Sequence, residues 1–152
     1  MMILYMGIVL FLILVTRILA YWGNYILPSG GVDVIPNVFK FSFVANDGAG
    51  FGIFAGEKFW LIAISVILVI VITYYVTYKG KSIHLSTLIP LALLSGGGIS
   101  NVADRLQFGY VVDYLDFYCI NYPVFNLADI CVVVGVFWIA AKIVFAKDPQ
   151  KQ

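Results

Sequence analysis

Four long apolar stretches, separated by shorter polar ones, dominate the hydrophobic pattern of the chain. They cover residues 1–22, 59–78, 85–101 and 127–146. A membrane-spanning helix needs about 20 mostly apolar residues, and Pro90 in the third stretch is tolerated better by membrane helices than by soluble ones. The first stretch lacks a basic start and a small-residue cleavage site, which favours a retained helix over a signal peptide. The pattern predicts an α-helical integral membrane protein with four transmembrane helices, in one domain of residues 1–152.

A shorter pattern lies between the first two spans. Phe39, Phe41 and Phe43 alternate with Lys40 and Ser42, and an aromatic repeat of period two is typical of a strand with one apolar face. A turn-rich stretch at residues 46–52 follows. The sequence therefore predicts a small extracytoplasmic β element beside the helices.

Composition supports the bilayer as the solvent of this chain. Hydrophobic residues make up 62% and charged residues 11%, whereas soluble domains carry roughly 25% charged residues. No basic block indicates a nucleic-acid partner. The two cysteines, Cys119 and Cys131, are too few for a disulfide framework.

The distribution of lysine predicts the orientation. Residues 79–84 carry two lysines and no acid, and residues 142–151 carry three lysines. The positive-inside rule places both segments in the cytoplasm, and an even number of spans then places the N-terminus there too. The longer connections, residues 23–58 and 102–125, are expected outside and hold six of the eight acidic residues.

Two aspartates near the outer membrane boundary are candidates for chemistry, because ionisable groups are costly there. Asp113 lies between Val112 and Tyr114, so we expect its pKa to be raised by its apolar surroundings. Asp129 follows Asn126 by three residues at the start of the fourth span. That spacing predicts a helix cap, which is compatible with a catalytic role.

Other polar residues permit several interpretations. Asp104 and Arg105 are adjacent and of opposite charge, which favours a structural ion-pair cluster at the outer end of the third span, with Asn101 satisfying nearby groups. The single histidine, His84, lies in the inner link, so no outer Ser-His-Asp triad is available. A carboxylate pair activating water is then the simplest hydrolytic arrangement, without metal or cofactor. A transporter or channel subunit remains an alternative, although its acids would be spread through the membrane depth.

Four motifs together resemble the lipoprotein signal peptidases, the bacterial type II signal peptidase family. The family patterns N-x-G-A-A-F-G, G-G-x-x-G-N-x-x-D-R, V-V-D-F and F-N-x-A-D correspond to residues 46–52, 96–105, 111–114 and 125–129. Their order and spacing fit across nearly the whole chain. Each motif alone is weak, whereas the set is highly specific.

The resemblance implies four transmembrane helices, a β cradle and an outer surface helix in the bacterial cytoplasmic membrane. It implies a monomeric aspartic endopeptidase that contacts membrane lipids and cuts prolipoproteins before a diacylglyceryl-modified cysteine. Asp113 and Asp129 match the catalytic positions of the family. The supporting positions fall on Asn46, Gly48, Asn101, Asp104, Arg105 and Asn126. A catalytically inactive relative remains the other alternative.

Several positions depart from the family pattern. The Asp and Lys usual in the first span fall near Thr16 and Ala20, with Arg17 between them. Ala45 replaces an Arg and Ser100 replaces a Gly, and one Ala of the first motif is Gly50. We expect Arg17 to reach the outer polar layer and to replace the missing Lys in contacting lipid or substrate.

Overall fold

The structure is a computed structural model that describes residues 1–48, 54, 56–120 and 122–145. In chain order its elements are α1 (Met2–Tyr25), β1 (Val32–Ile35), β2 (Phe39–Asn46), α2 (Lys58–Lys79), a 3₁₀ turn (Gly80–Ser82), α3 (Leu85–Gln107), β3 (Val111–Asp116) and α4 (Leu127–Val144).

Four helices within the described residues are long and apolar enough to cross a membrane, which confirms the predicted spans. Their outward faces are apolar, with Ile3, Ile67 and Phe137 among the most exposed side chains, and such a surface suits lipid. The third span continues to Gln107 rather than ending at Asn101. The apolar run ends earlier than the helix because the last turns carry polar side chains that are partnered inside the protein. Residue 146, the predicted end of the fourth span, lies outside the described residues.

Helix α3 packs against the other three helices, and small residues allow the close approach. A Cβ atom at Gly97 would lie 2.5 Å from the carbonyl oxygen of Ala128, and one at Gly135 would lie 2.8 Å from that of Pro90. Membrane helices use such small residues because close backbone contact replaces the hydrophobic driving force that lipid cannot supply. Gly97 therefore brings the start of α4 against the middle of α3, and Gly135 brings the middle of α4 against the first half of α3.

Buried hydroxyl groups join α1 to α3. Tyr5 donates to Ser95 over 2.7 Å, and Thr16 donates to Ser100 over 2.7 Å. Thr16 and Ser100 are two of the positions that depart from the family pattern, and here they are partners. The hydrogen bond provides a partner for both hydroxyls, which are buried.

The strands form one antiparallel sheet in the order β1-β2-β3, which confirms the predicted β element. A register shift between Phe41 and Val44 interrupts the pairing of β2 with β3. Phe41 packs edge-on against Trp22 with ring centres 5.1 Å apart, whereas Phe43, within the shifted segment, is exposed. The bulge therefore ends the simple alternation of the phenylalanines, because an extra residue turns the strand.

Strand β3 is anchored on α1. Val112 and Tyr114 are buried with Ala20 in one apolar cluster, and a Cβ atom at Gly23 would lie 3.1 Å from Val112. The strand is thus held against the C-terminal end of α1. The outer surface helix implied by the resemblance, for which no residues were predicted, stays a prediction.

Candidate active site

Asp113 lies in β3 between two buried residues and is only 1% exposed. Its two carboxyl oxygens each accept a hydrogen bond of 2.8 Å, one from the amide nitrogen of Asn46 and one from that of Asn126. Asn46 ends β2, and Asn126 precedes α4. The carboxyl group is therefore held from two directions by different elements.

The surroundings of Asp113 disfavour its ionised form. Its pKa is raised from 3.8 to about 7, first by burial and then by the negative charge of Asp129. The amide donors of Asn46 and Asn126 oppose the rise because they stabilise the carboxylate. Asp113 can therefore hold or release a proton near neutral pH. The pKa is raised, as predicted from the apolar neighbours of Asp113.

Asp129 lies in the first turn of α4 and takes part in the predicted cap. Its backbone N–H donates to the side chain of Asn126 over 2.9 Å, and its carboxylate accepts from the backbone N–H of Asn126 over 3.2 Å. This reciprocal pair is a capping box. The other carboxylate oxygen accepts from Asn101 over 2.8 Å, so the cap leaves Asp129 rigidly placed.

Asn126 connects the two aspartates. Its amide nitrogen donates to Asp113 over 2.8 Å and to the side-chain oxygen of Asn101 over 3.3 Å. Its side-chain oxygen accepts from the backbone of Asp129. The orientation of the amide is therefore fixed. Asn126 sets the spacing between the carboxyl group of Asp113 in β3 and that of Asp129 in α4.

Arg105 and Gly48 secure the opposite side of the site. The guanidinium of Arg105 donates to the carbonyl oxygen of Gly48 over 2.7 Å and to that of Asn101 over 3.3 Å. The N–H of Gly48 donates to the side-chain oxygen of Asn46 over 3.0 Å. This contact turns the amide nitrogen of Asn46 toward Asp113. The glycines beyond Gly48 in the same motif lie outside the described residues.

The expected partnership of Asp104 with Arg105 is corrected by the structure. Among the described residues, Asp104 forms its salt bridge with Arg17 of α1. Adjacent residues on a helix point about 100° apart, so Arg105 reaches Gly48 while Asp104 faces α1. The expectation that Arg17 extends to the outer polar layer stays a prediction; its side chain is 23% exposed and engages a buried carboxylate.

Both aspartates line one cleft of about 890 Å³. Asn46, Asn101 and Arg105 complete its polar wall, and Leu61, Val132 and Val133 from α2 and α4 form an apolar wall. Such a cleft suits a substrate with both an extended polar backbone and an apolar part. No cluster of three or more metal-binding side chains occurs within the described part of the chain.

Comparison with known protein families identifies one matching family model. The model of the family described as "Signal peptidase (SPase) II" matches residues 6–145, which include every residue of the site. The chain belongs to the signal peptidase II family.

Curated relatives extend the similarity to nearly full length. The lipoprotein signal peptidase of Clostridium acetobutylicum is 40% identical over 146 residues, covering 91% of this chain and 92% of the relative. That of Clostridioides difficile is 31% identical, covering 97% and 99%. That of Halothermothrix orenii is 44% identical over 109 residues, covering 70% and 71%. The similarity to signal peptidase II inferred from the four motifs is confirmed.

Two solved bacterial membrane enzymes share the fold. One, determined by the in meso method at 2.3 Å resolution, superposes with a TM-score of 0.84 at 26% identity, covering 97% of this chain and 93% of its own. The other, at 1.9 Å, gives 0.79 at 26% identity, covering 93% and 92%. Signal peptidase II membership and the four-helix fold disfavour a transporter or channel subunit.

One residue of the site was missed by the sequence analysis. The hydroxyl of Tyr114 accepts from the backbone N–H of Leu127 over 3.1 Å and so joins β3 to the start of α4. Burial raises the pKa of Tyr114 to about 12, so the hydroxyl stays neutral. The sequence feature that could have indicated this role is Tyr114 in place of the phenylalanine of the V-V-D-F pattern, because tyrosine carries the hydroxyl that makes this bond and phenylalanine does not.

Proposed function

We propose that this chain is an aspartic endopeptidase that removes the signal peptide from prolipoproteins, cutting just before a diacylglyceryl-modified cysteine. Asp113 and Asp129 are its catalytic residues, supported by Asn46, Gly48, Asn101, Asp104, Arg105 and Asn126. The enzyme works as one membrane-embedded domain, as a monomer and without metal or organic cofactor. The observation that carries the proposal is the pair of carboxyl groups, spaced by Asn126, on the wall of one cleft.

The two aspartates have different roles in the proposed reaction. Asp113, with a pKa of about 7, carries the shared proton near neutral pH. Asp129 lies at the positive end of the α4 dipole and accepts two hydrogen bonds, which suits the ionised partner. Asp129 takes a proton from water, and the water attacks the scissile carbonyl. Asp113 donates its proton to the developing oxyanion. When the tetrahedral intermediate collapses, the proton that Asp129 took from water passes to the leaving amine, and Asp113 takes back a proton from the hydroxyl that becomes the new carbonyl oxygen.

The asparagines support both protonation states of this pair. The side-chain oxygens of Asn46 and Asn126 are occupied by backbone N–H groups, so both amides present N–H donors to Asp113. A protonated carboxyl group can keep both of these bonds and still donate its own hydrogen. The proton therefore moves without any rearrangement of the supporting side chains.

The orientation supported by the lysines places the site at the outer face of the bacterial cytoplasmic membrane, with both termini in the cytoplasm. Lys142 donates to Ser86 over 2.9 Å, so the end of α4 and the start of α3 meet at one end of the bundle. Asp129 lies in the first turn of α4 and hence at the other end. The basic segments and the carboxylates are therefore separated along the helices.

The proposed activity is tested with purified protein in detergent and a diacylglyceryl-modified prolipoprotein, with a gel shift as the readout. We expect Asp113→Asn and Asp129→Asn each to lower turnover by roughly 100- to 10,000-fold. Both variants should remain folded, because Asn keeps the shape of Asp and can still cap a helix.

Asp116→Asn is the matched control. Asp116 ends the same strand but contacts Ser42 over 2.9 Å and Lys40 over 3.6 Å, away from the cleft. It should retain most of its turnover, and a chelator should not inhibit the wild type. Wild-type-like cleavage by Asp113→Asn or Asp129→Asn contradicts the assignment of these aspartates as catalytic. A folded wild type that never cleaves indicates a catalytically inactive relative.

A further inference from the structure

Asp104 has two different partners that join three elements. One carboxylate oxygen pairs with the guanidinium of Arg17 in α1. The other accepts the backbone N–H of Val112 in β3 over 3.0 Å. Asp104 itself belongs to α3 and is only 4% exposed. A line of contacts therefore runs from α1 through α3 to the residue immediately before Asp113.

The hydrogen bond to Val112 requires an acceptor at this place. Val112 is fully buried, and a buried N–H group without a partner costs about 1–3 kcal/mol. The bond fixes the backbone of β3 on the side next to α3. Because Asp113 follows directly, a shift of this backbone displaces its carboxyl group relative to Asp129.

The acceptor is a buried carboxylate, and it requires a cation. Arg105, its neighbour in sequence, donates to backbone carbonyls on the other side of the site. Arg17 makes the only salt bridge to Asp104 among the described residues. Its guanidinium also lies 5.6 Å from the centre of the Phe108 ring, which favours a desolvated cation. Without Arg17, Asp104 is a buried charge lacking its salt-bridge partner.

Arg17 is separated from the substrate cleft. It lines a small cavity of about 10 Å³ with Thr16, Ala20 and Asp104. The side chains lining the catalytic cleft include Asp113 and Asp129 but not Arg17. A direct role in binding the substrate backbone is therefore not supported by its position.

We infer that Arg17 is a positioning residue, which neutralises Asp104 so that this carboxylate can hold Val112 and thereby place Asp113. The inference rests on the proposed function, since Asp113 is placed for that reaction. It assigns a role to Arg17, which lies between the two first-span positions of the family pattern. The role is electrostatic and acts through Asp104 and Val112 on the catalytic strand.

The inference is tested by kinetics on the full chain in detergent with a lipidated prolipoprotein. Arg17→Met keeps most of the volume and removes the charge, and we expect kcat to fall about tenfold, or about 1.4 kcal/mol in the barrier, with KM changed less than about twofold. Arg17→Lys restores the cation and should recover most of the loss. Lys40→Met is the matched control, because Lys40 pairs with Asp116 of the same strand at a more exposed position, and kcat should not change.

A double variant separates positioning from a direct contact with substrate. In Arg17→Met/Asp104→Asn the buried charge is gone, while the asparagine oxygen can still accept from Val112. It should therefore turn over faster than Arg17→Met alone. If Arg17 contacted substrate directly, the second substitution would bring no recovery, and KM would rise in Arg17→Met with kcat unchanged. Either result overturns the inference.

Hydrogen exchange gives a readout that does not require activity. Amide exchange measured over residues 109–116 should be at least about tenfold faster in Arg17→Met than in the wild type, with β1 unaffected. Unchanged exchange in this strand contradicts the inference even if turnover falls. A wild type that fails to cleave any lipidated substrate contradicts the proposed function instead, and the exchange experiment still decides the role of Arg17.

Discussion

Replacing Asp113 by Asn should remove activity and at the same time stabilise the protein at alkaline pH relative to the wild type. The pKa of this carboxyl group rises from 3.8 to about 7 on folding, mainly through burial. Between these pH values the folded state binds more protons than the unfolded state. Raising the pH through this range therefore lowers the free energy of unfolding of the wild type. Asn does not titrate, so the variant lacks this contribution.

The size of the effect follows from the same shift. Each pKa unit corresponds to about 1.4 kcal/mol, so the advantage of Asp113→Asn should grow by on the order of 4 kcal/mol between pH 4 and pH 8. Asn offers one acceptor oxygen where Asp offers two, so Asn46 or Asn126 loses a bond at a cost of about 1–3 kcal/mol. That cost is independent of pH. It shifts the curve of unfolding free energy against pH without changing its slope.

The measurement is denaturant unfolding in detergent at several pH values, followed by tryptophan fluorescence. Trp22 is a suitable reporter because its ring lies 6.2 Å from that of Tyr114, which is next to Asp113 in β3. Val111→Ala serves as the control, since it alters a buried, non-titrating residue of the same strand and should change stability equally at every pH. Parallel curves for Asp113→Asn and the wild type between pH 4 and pH 8 would refute the raised pKa.

Two further predictions concern the membrane. A single cysteine placed at Lys81, in a background without native cysteines, should resist an impermeant reagent in intact cells, whereas one at Asp33 should react; labelling at Lys81 would reverse the proposed orientation. Prolipoprotein without its diacylglyceryl group should be cut far more slowly than the lipidated form, because each buried CH₂ contributes roughly 0.8 kcal/mol to holding the scissile bond at the membrane boundary. Equal rates on both forms, measured by gel shift, would exclude this role of the lipid.

The four spans could be predicted from the sequence because hydropathy is a local property. A stretch such as residues 59–78 contains no charge and has no better environment than lipid. The cap of α4 was also predictable, because Asn126 and Asp129 are three residues apart and satisfy each other within one turn. Hydropathy did not predict the end of α3. The polar residues that follow Asn101 stay helical because their partners belong to other elements.

The four motifs predicted which two aspartates are catalytic, and only the tertiary structure decided how these residues meet. Sequence order separates Asp113 from Asp129 by a loop, and Asn126 brings them together through hydrogen bonds from its amide and its backbone. The role of Tyr114 depends equally on the approach of β3 to α4. No periodicity or spacing contains this information.

The salt-bridge partner of Asp104 could not be predicted from the sequence. Its neighbour in sequence has the opposite charge, and proximity along the chain favoured that pair. Successive side chains on a helix point in different directions, so Asp104 and Arg105 each contact the element that they face. Arg17 of α1 faces Asp104, and Gly48 faces Arg105. The sequence by itself determined the spans, the cap and the residue types of the site, whereas the pairing of charges was decided by how the helices and the sheet pack.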